Sequence, residues 1–540
     1  MAPSMLLFDG DHYRAGQWYL ICLVLLVAIQ SVPRLWRSLR HLLCRQRKTE
    51  NAPNGQQAAA HNPILVFFHR LTYFHLPFYP YYPTRLIIFL VLYILISVLF
   101  ATGSITLEKD VGYPRYGYMA LANLCAATIF ALRNSPAYYL LALPFERTID
   151  FHKWFGVGAM VFAWVHGGLY LRQWEAQDVT ALMFNERSRL AFGPAVAALV
   201  AFVVLAAQRP IRRRMWELFW AIHIFGFLAI FVLVNFHTTK GIEFTLPPLL
   251  LWGLDRVIRF TRGWLRPAVA EASSDSNGQV TRLVVHQNPL WGRAYQAGQY
   301  VFLNVPRVGM IEWHPASIVS GAPVKNDLEG ADGAFPPTQH QYTLVLRNVG
   351  SFTRRLTQVG ASQEKLKVRI DGPYGKWDLA AKNYNLVVLF AGGIGATPIL
   401  SVLLTVLRKA LKTGSNRKVE FIWAVQTENQ IMWFADELAE ASALGAHIRI
   451  FVTQTPETTS STAMVTHTED GAKMFAGCEI LYFRPHIEDL CQDIKNRSPG
   501  IEAAVGVCGA PGMVRSTRDA VRKCSDVRSL WHLHAEAFDL

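Results

Sequence analysis

The chain has 540 residues, 51% of them hydrophobic and 17% charged, with a mean hydropathy of +0.19. Soluble proteins carry about 25% charged residues, so the composition excludes a disordered chain and speaks against a purely soluble one. A formal net charge of +14 suits nucleic acid or a membrane surface, and its placement decides which. The seven cysteines, Cys22, Cys44, Cys125, Cys478, Cys491, Cys508 and Cys524, are scattered and form no CxxC, which argues against a disulfide framework or a zinc site.

Seven apolar runs approach the roughly 17–25 residues that cross a bilayer. They lie near 16–33, 84–103, 117–134, 150–171, 189–207, 215–237 and 243–258, the third and seventh being weakest. Basic residues cluster after the first run (Arg34, Arg37, Arg40, Arg45, Arg47, Lys48), between the fifth and sixth (Arg209, Arg212, Arg213, Arg214), and after the seventh (Arg256, Arg259, Arg262, Arg266). With alternating spans these three segments share one side. The positive-inside rule then predicts an N-terminus outside and a cytosolic C-terminal half. The charge is thus topological, and nucleic acid is not an expected partner. Asp9, Asp11 and Arg14 precede the first run and the basic block follows it, which favours an uncleaved anchor over a signal peptide.

Ionisable residues inside spans point to function. The fourth run, FHKWFGVGAMVFAWVHGGLY, holds His152 and His166; the sixth, ELFWAIHIFGFLAIFVLVNFH, holds His223 and His237. Each pair is fourteen positions apart, close to four helical turns, so its members share one face roughly 21 Å apart. The two runs are parallel, so His152 matches His223 near the cytosolic side and His166 matches His237 near the outer side. Gly156, Ala159 and Ala163 on the intervening face leave room for a large flat group. Two haems, each with two axial imidazoles, fit this pattern. A lone histidine would read as a packing residue, and small residues as helix contacts. Arg133, at the inner end of the third run, reads either as a partner of a haem propionate or as a snorkelling anchor.

Beyond residue 264 charges become frequent, and short Val/Ile/Leu runs alternate with Gly, Pro and Asn, the pattern of a β-rich and then an α/β region. After QYVFLNV (299–305) comes WHPASIVSG, with His314, Pro315, Ser317 and Ser320. YTLVLRNVGSFTRRL supplies Arg347, Gly350 and Thr353, and VRIDGPYG supplies Gly372. The run at 386–390 reads as a buried parallel strand leading into Gly392, Gly393 and Gly395, with Thr397-Pro398 opening a helix. Backbone N–H groups at such a helix start can hold a pyrophosphate. Strands follow at 418–425 and 448–454, a helix at WFADELAEAS, and a strand ending in Cys508-Gly509 with Met513 beyond it. That small pair would let a nicotinamide approach closely; Cys508 reads equally as a buried core thiol. The alternation predicts a doubly wound parallel sheet. Segments 49–62, 321–341 and 455–472 read as exposed loops.

With its two His pairs, HPASIVS, GSFTRRL, DGPYG, AGGIGATP, VCGAPGM and HAEAF, the chain resembles the ferric reductase family, whose superfamily includes the NADPH oxidases. The resemblance covers roughly residues 84–540 and implies a multidomain membrane protein. An α-helical transmembrane haem domain would be followed by a ferredoxin-reductase-type β-barrel FAD domain and an α/β nucleotide-binding domain. The expected boundaries are 1–83 for an anchor helix and cytosolic loop, 84–263 for the haem domain, 264–383 for the FAD domain and 384–540 for the NAD(P)-binding domain.

The resemblance assigns His314 to Ser317 and the Arg347–Thr353 strand to FAD. It assigns Gly392 to Pro398 and Cys508 to Met513 to NADPH or NADH. Phe538 would cover the flavin ring, or else dock in the sheet. Two departures stand out. Ala316 occupies a position where relatives carry an aromatic residue. Gln426 stands where relatives often carry an arginine for the NADPH 2′-phosphate, leaving Arg408, Lys409, Lys412, Arg417 or Lys418 to compensate. The implied activity is a plasma-membrane ferric-chelate reductase. It would draw on cytosolic NAD(P)H through FAD and two b-type haems to reduce Fe(III) chelates, or Cu(II), outside for iron uptake. A superoxide-producing NADPH oxidase is the alternative, although both His pairs here have the same spacing, whereas the second pair of such oxidases is often one residue closer. A non-catalytic membrane protein would not need intact His pairs.

Overall fold

The computed structural model describes residues 11–31, 61–73, 84–102, 112–141, 143, 145–173, 192–287, 295–310, 312–320, 340–362, 365–375, 377, 379, 381, 384–454, 466–467 and 473–536. Its first half is helical: α1 (His12–Ile29), α2 (Pro63–Thr72), α3 (Thr84–Thr102), α4 (Tyr113–Phe130), α5 (Phe145–Gln173), α6 (Phe192–Ala206), α7 (Trp216–His237) and α8 (Gly241–Gly263). Apart from α2, these are the seven apolar runs. By length and composition α1, α5 and α7 can cross a membrane, and α3 and α6 are shorter apolar helices. The chain divides into two compact units, Met1–Trp36 with Arg85–Ile258, and Arg37–Thr84 with Arg259–Leu540.

In the helical unit α4 packs on α1 and α5, and α6 packs on α5 and α7. Small residues bring the backbones close, as expected where apolar helices associate. A Cβ on Gly16 would stand 2.6 Å from the Tyr118 Cβ, and one on Gly226 would stand 2.4 Å from Val203 Cγ2. Buried polar groups satisfy one another. Tyr93 donates to Asn123 Oδ1 at 2.8 Å, Asn123 Nδ2 donates to the Tyr19 hydroxyl at 3.2 Å, and Tyr19 meets Ser97 at 2.7 Å. Without water, such a network is what lets these groups be buried.

The second unit opens with six strands, β1 (Ala268–Ser274), β2 (Val280–Gln287), β3 (Tyr300–Asn304), β4 (His314–Ser320), β5 (His340–Arg347) and β6 (Lys365–Tyr374). They close an antiparallel barrel in the order β1-β2-β5-β4-β3-β6. Helix α9 (Ser351–Gly360) links β5 to β6 and packs across β1 and β2. Alternation sets the faces: Ala268, Ala270 and Ala272 point inward and their neighbours outward.

The remainder alternates strand and helix: β7 (Leu386–Gly392), α10 (Ala396–Thr413), β8 (Lys418–Val425), α11 (Ala435–Ala443), β9 (His447–Val452), β10 (Thr466–His467), β11 (Lys473–Phe475), β12 (Cys478–Leu481), α12 (Ile487–Arg497), β13 (Ala503–Cys508), α13 (Pro511–Cys524) and β14 (Trp531–Glu536). The sheet order is β10-β11-β12-β9-β8-β7-β13-β14, parallel from β12 to β14 with an antiparallel hairpin at one edge. β7 is buried along Leu386–Ala391, as a parallel strand covered on both faces must be. Helix α10 is also apolar and long enough to cross a membrane, but Ile399, Leu400 and Leu403 are fully buried in the core of this domain.

Two loop expectations need correction: residues 340 and 341 of segment 321–341 open strand β5, and segment 455–472 contains strand β10. Of segment 49–62, residues 49–60 lie outside the described residues. His61 and Asn62 lead directly into α2, where the Asn62 side chain accepts the Ile64 N–H at 2.8 Å as an N-cap. Ten residues are too few to hold a helix alone; α2 forms because it docks on β14. Residues 321–339 and Phe538 lie outside the described residues.

Candidate redox sites

Helices α5 and α7 bring the four histidines together as two pairs. The His152 and His223 rings have centroids 5.7 Å apart at 75°, and His166 and His237 are 6.2 Å apart at 74°. His152 Nδ1 lies 2.9 Å from the Ala127 carbonyl and His166 Nδ1 lies 2.7 Å from the Tyr113 carbonyl. A carbonyl only accepts, so Nδ1 carries the proton and Nε2 keeps its lone pair, the arrangement of a metal-ligating imidazole. Among the described residues, buried His223 Nδ1 finds no hydrogen-bond partner. Glycines stand flush against the outer pair: a Cβ on Gly117 would come 3.2 Å from His166 Cε1, and one on Gly193 would come 3.0 Å from His237 Cε1. Beside Gly156 a Cβ would meet nothing within 4 Å, while Ala159 is buried.

The donor set fits haem. The facing imidazoles of His152 with His223 and of His166 with His237 would hold two haem irons, which would supply one-electron chemistry there. Among the described residues no group of three or more His, Cys, Asp or Glu gathers as a metal centre, which a zinc site would require. Arg133 lies partly buried in the turn after α4. Its neighbour Asn134 donates from its backbone and side chain to buried Asp255 of α8, at 2.9 and 2.8 Å.

In the second unit, the carboxyl ends of β7 and β13 meet. β7 ends at Gly392, Gly393–Gly395 form a 3-10 turn, and α10 starts at Ala396, with Thr397 and Pro398 in its first turn. A Cβ on Gly395 would stand 2.5 Å from the Cys508 carbonyl oxygen, and one on Gly509 would stand 3.1 Å from the Gly392 nitrogen. Gly393 has φ +51 and open space beside it. Met513 places its sulfur 3.4 Å from a Cβ built on Gly392. The crevice at the carboxyl ends of parallel strands is where such sheets bind nucleotides. Cys508 itself is 1% exposed, and burial pushes its thiol well above the ordinary range, so it stays protonated. Its side chain is core; Gly509 is half-buried and stands close against Gly392 and Met513.

The barrel residues of the predicted flavin set divide. His314 stacks on Phe352 at 3.9 Å and 23°, joining β4 to the start of α9. Burial lowers its pKa further than nearby Glu312 raises it, so the ring is neutral at pH 7. Pro315 and Arg347 are exposed, and Ser317 is buried. Ala316 belongs to the barrel core. Thr353 accepts the Val349 and Gly350 N–H groups at 3.0 and 2.9 Å, shaping the N-terminus of α9 around Gly350. Gly372 lies in β6 at φ +152, where a Cβ would meet Val301 at 3.1 Å. Ser320 instead faces Glu437 of α11, donating at 3.3 Å. Arg282 of β2 grips the same carboxylate through two 2.8 Å bonds, tying the barrel to the nucleotide sheet. β4 packs on α10 and β5 reaches the Gly393–Gly395 turn, so the predicted flavin and nucleotide residues converge.

Gln426 is exposed just past β8, with its backbone N–H bonded to Gln430. The cations considered as substitutes are at the wrong end. Arg417 and Lys418 sit where β8 begins, and an eight-residue strand separates its ends by roughly 20 Å. Arg408, Lys409 and Lys412 lie in the second half of α10, and Arg408 pairs bidentately with Glu440 at 2.6 and 2.8 Å. Close to Gln426 in the chain stands Glu428, paired with Lys473 at 3.4 Å.

Sequence reasoning missed Trp377. Its ring fills the space where a Cβ on Gly506 would lie 2.8 Å away, and it packs on His534 at 4.1 Å and against Gly298 of the barrel. The available signal was a tryptophan two positions past the DGPYG turn.

A helical unit with paired intramembrane-type histidines, followed by a flavoprotein-type barrel and a nucleotide sheet, defines a membrane oxidoreductase. Three family models match in that order: ferric reductase like transmembrane component over residues 116–234, FAD-binding domain over 270–378, and ferric reductase NAD binding domain over 384–522. Ferric reduction oxidase 8, mitochondrial, of Arabidopsis thaliana is 26% identical over 364 residues, covering 64% of this chain and 48% of that protein. Ferric reduction oxidase 4 of the same plant is 26% identical over 315 residues, covering 57% and 42%. Human dual oxidase 2 is 27% identical over 459 residues, covering 74% and 28%. The chain thus spans about half or less of the length of these relatives. It belongs to the ferric reductase and NADPH oxidase family of membrane oxidoreductases, with FAD-binding and NAD-binding domains.

Proposed function

We propose that the chain carries electrons from cytosolic NAD(P)H, by way of FAD and two b-type haems, to an Fe(III) chelate on the far side of the plasma membrane. The observation that carries this reading is the pair of facing imidazoles repeated at two depths, 5.7 and 6.2 Å apart. FAD, when bound, converts hydride into single electrons, and haem accepts them one at a time. The protein's part is placement. His152 with His223 and His166 with His237 would hold the two haems, with the Nδ1 atoms of His152 and His166 fixed by backbone carbonyls on α4. Gly393, Gly395 and the start of α10 would receive the nucleotide pyrophosphate. His314, Pro315, Ser317, Arg347 and the Gly350–Thr353 helix start would hold the flavin nucleotide, with Gly372 on β6. Gly509 would let the nicotinamide approach closely, beside Cys508 and Met513.

Held by two histidines each, the haems would leave no open site for an acceptor to bind, which suits a chelated metal, Cu(II) included. An N-terminus outside and reductase domains inside match the basic segments. An inside-negative potential then favours outward electron movement by about 2.3 kcal/mol per 100 mV. Equal spacing of both His pairs supports the metalloreductase reading over superoxide production. The test is ferrous-iron formation by intact membranes given NADH or NADPH and an external Fe(III) chelate. Formation that persists with superoxide dismutase supports the proposal; complete inhibition by dismutase would identify O2 as the acceptor.

A further inference from the structure

Helix α2 presents two unlike faces. Val66, His69 and Tyr73 are turned to the nucleotide domain. His69 Nε2 donates to the Trp531 carbonyl at 2.9 Å, the Arg70 guanidinium donates to the Ser525 carbonyl at 2.9 and 2.6 Å, and the Tyr73 hydroxyl accepts the Leu533 N–H at 3.0 Å. The Trp531 and Leu533 groups lie on the outer edge of β14, so α2 covers an edge that could otherwise pair with another strand, while Ser525 caps α13. The opposite face carries Ile64, Leu65, Phe67, Phe68 and Leu71, exposed by 64, 42, 63, 56 and 37%. A ten-residue helix seldom offers soluble surroundings that much contiguous apolar surface. Beside it runs a groove of about 510 Å³ lined by Phe67, Arg70, Leu71, Arg522 and Lys523, with an apolar wall and three cations. Two carboxylates reach this rim, Asp519 at 3.7 Å from Arg522 and Glu488 paired with Lys523, so the cations outnumber them.

The chain itself indicates what covers this face. After α2 it must enter the apolar helix that starts at Thr84, a reach of at most about 40 Å for the intervening segment. That segment, FHLPFYPYYP, is rich in the aromatic residues that gather at membrane–water boundaries. An apolar helix face with a cationic border, next in sequence to a span, has the make-up of an interfacial helix. We propose that α2 is a membrane anchor. Ile64, Leu65, Phe67, Phe68 and Leu71 seat in the headgroup–acyl boundary of the leaflet the chain spans, while Arg70, Arg522 and Lys523 take anionic lipid headgroups. The nucleotide domain would then be held to the bilayer through β14, independently of which acceptor is reduced.

The test uses the full-length protein in lipid nanodiscs, with a fluorophore on Phe68→Cys or, as control, on exposed Asn416→Cys, the signal of native cysteines being subtracted with the parent protein. In discs containing phosphatidylserine, spin-labelled lipid should quench the label at 68 and spare that at 416, while aqueous iodide does the reverse. The double variant R522Q/K523Q should lose lipid quenching at 68 while retaining FAD. A label at 68 open to iodide, or one shielded from both quenchers as a second protein copy would shield it, overturns the anchor. Equal lipid quenching in purely zwitterionic discs overturns the headgroup assignment.

Discussion

His152 and His223 face each other across α5 and α7 with ring centroids 5.7 Å apart, and the Nδ1 of His152 is held by the Ala127 carbonyl at 2.9 Å. The same construction recurs at His166 and His237. Each pair depends on both members, since removing one imidazole leaves the other without its partner. His223→Ala and His166→Ala should therefore each lower haem content to about half, because haem held by two axial ligands needs both. Pyridine haemochromogen assay of the purified variants reads this directly. Full haem content in either variant would contradict the assignment.

Gly395 is the tightest point of the nucleotide crevice. Its missing Cβ would lie 2.5 Å from the Cys508 carbonyl oxygen, which belongs to the neighbouring strand and cannot move without β13. In Gly395→Ala the two turns must separate, at a cost of about 1–3 kcal/mol. NAD(P)H-dependent dye reduction should drop roughly tenfold, the equivalent of about 1.4 kcal/mol, while bound FAD is unchanged. Wild-type dye reduction would show that the crevice is not used.

Arg282 and Glu437 hold the barrel against the nucleotide sheet. The carboxylate side chain is 5% exposed and also receives Ser320. Breaking such a pair from one side leaves a buried charge, worth about 3 kcal/mol. Arg282→Met should lower the melting temperature and slow hydride transfer. The exchanged pair R282E/E437R should recover part of both. Stopped-flow flavin reduction separates the kinetic effect from simple loss of folded protein. If Arg282→Met leaves both quantities untouched, the latch has no role.

The end of β8 carries Gln426 and no cation from α10 reaches it. Gln426→Arg should raise the preference for NADPH over NADH by roughly tenfold, the scale of one charge-assisted hydrogen bond. The ratio of kcat/KM values for the two cofactors measures it. An unchanged ratio would place the ribose elsewhere.

The histidine pairs were legible because a titratable ring inside an apolar run is conspicuous, and equal spacing on parallel helices fixes the pairing. The Gly392–Gly395 and Cys508–Gly509 turns were legible because small residues at strand ends have few other uses. What stayed hidden is made by distant contacts. Arg282 and Glu437 are 155 positions apart, and Tyr73 and Leu533 are 460 apart. No local pattern encodes either. Ser320 read as a flavin residue because its strand does carry such residues; only the opposed α11 shows where its hydroxyl goes. The apolar signal also misleads at α10, whose residues are buried by a sheet rather than by lipid.

The central claim is that electrons cross the bilayer through the two histidine pairs. Its most direct test is a sided proteoliposome with the nucleotide domain outward, an impermeant Fe(III) chelate trapped inside, and NADH or NADPH added outside. Lumenal ferrous iron should form with the intact protein and be lost in His166→Ala, while dye reduction on the outer side persists. Absence of lumenal reduction by the intact protein, or its persistence in His166→Ala, would contradict the account.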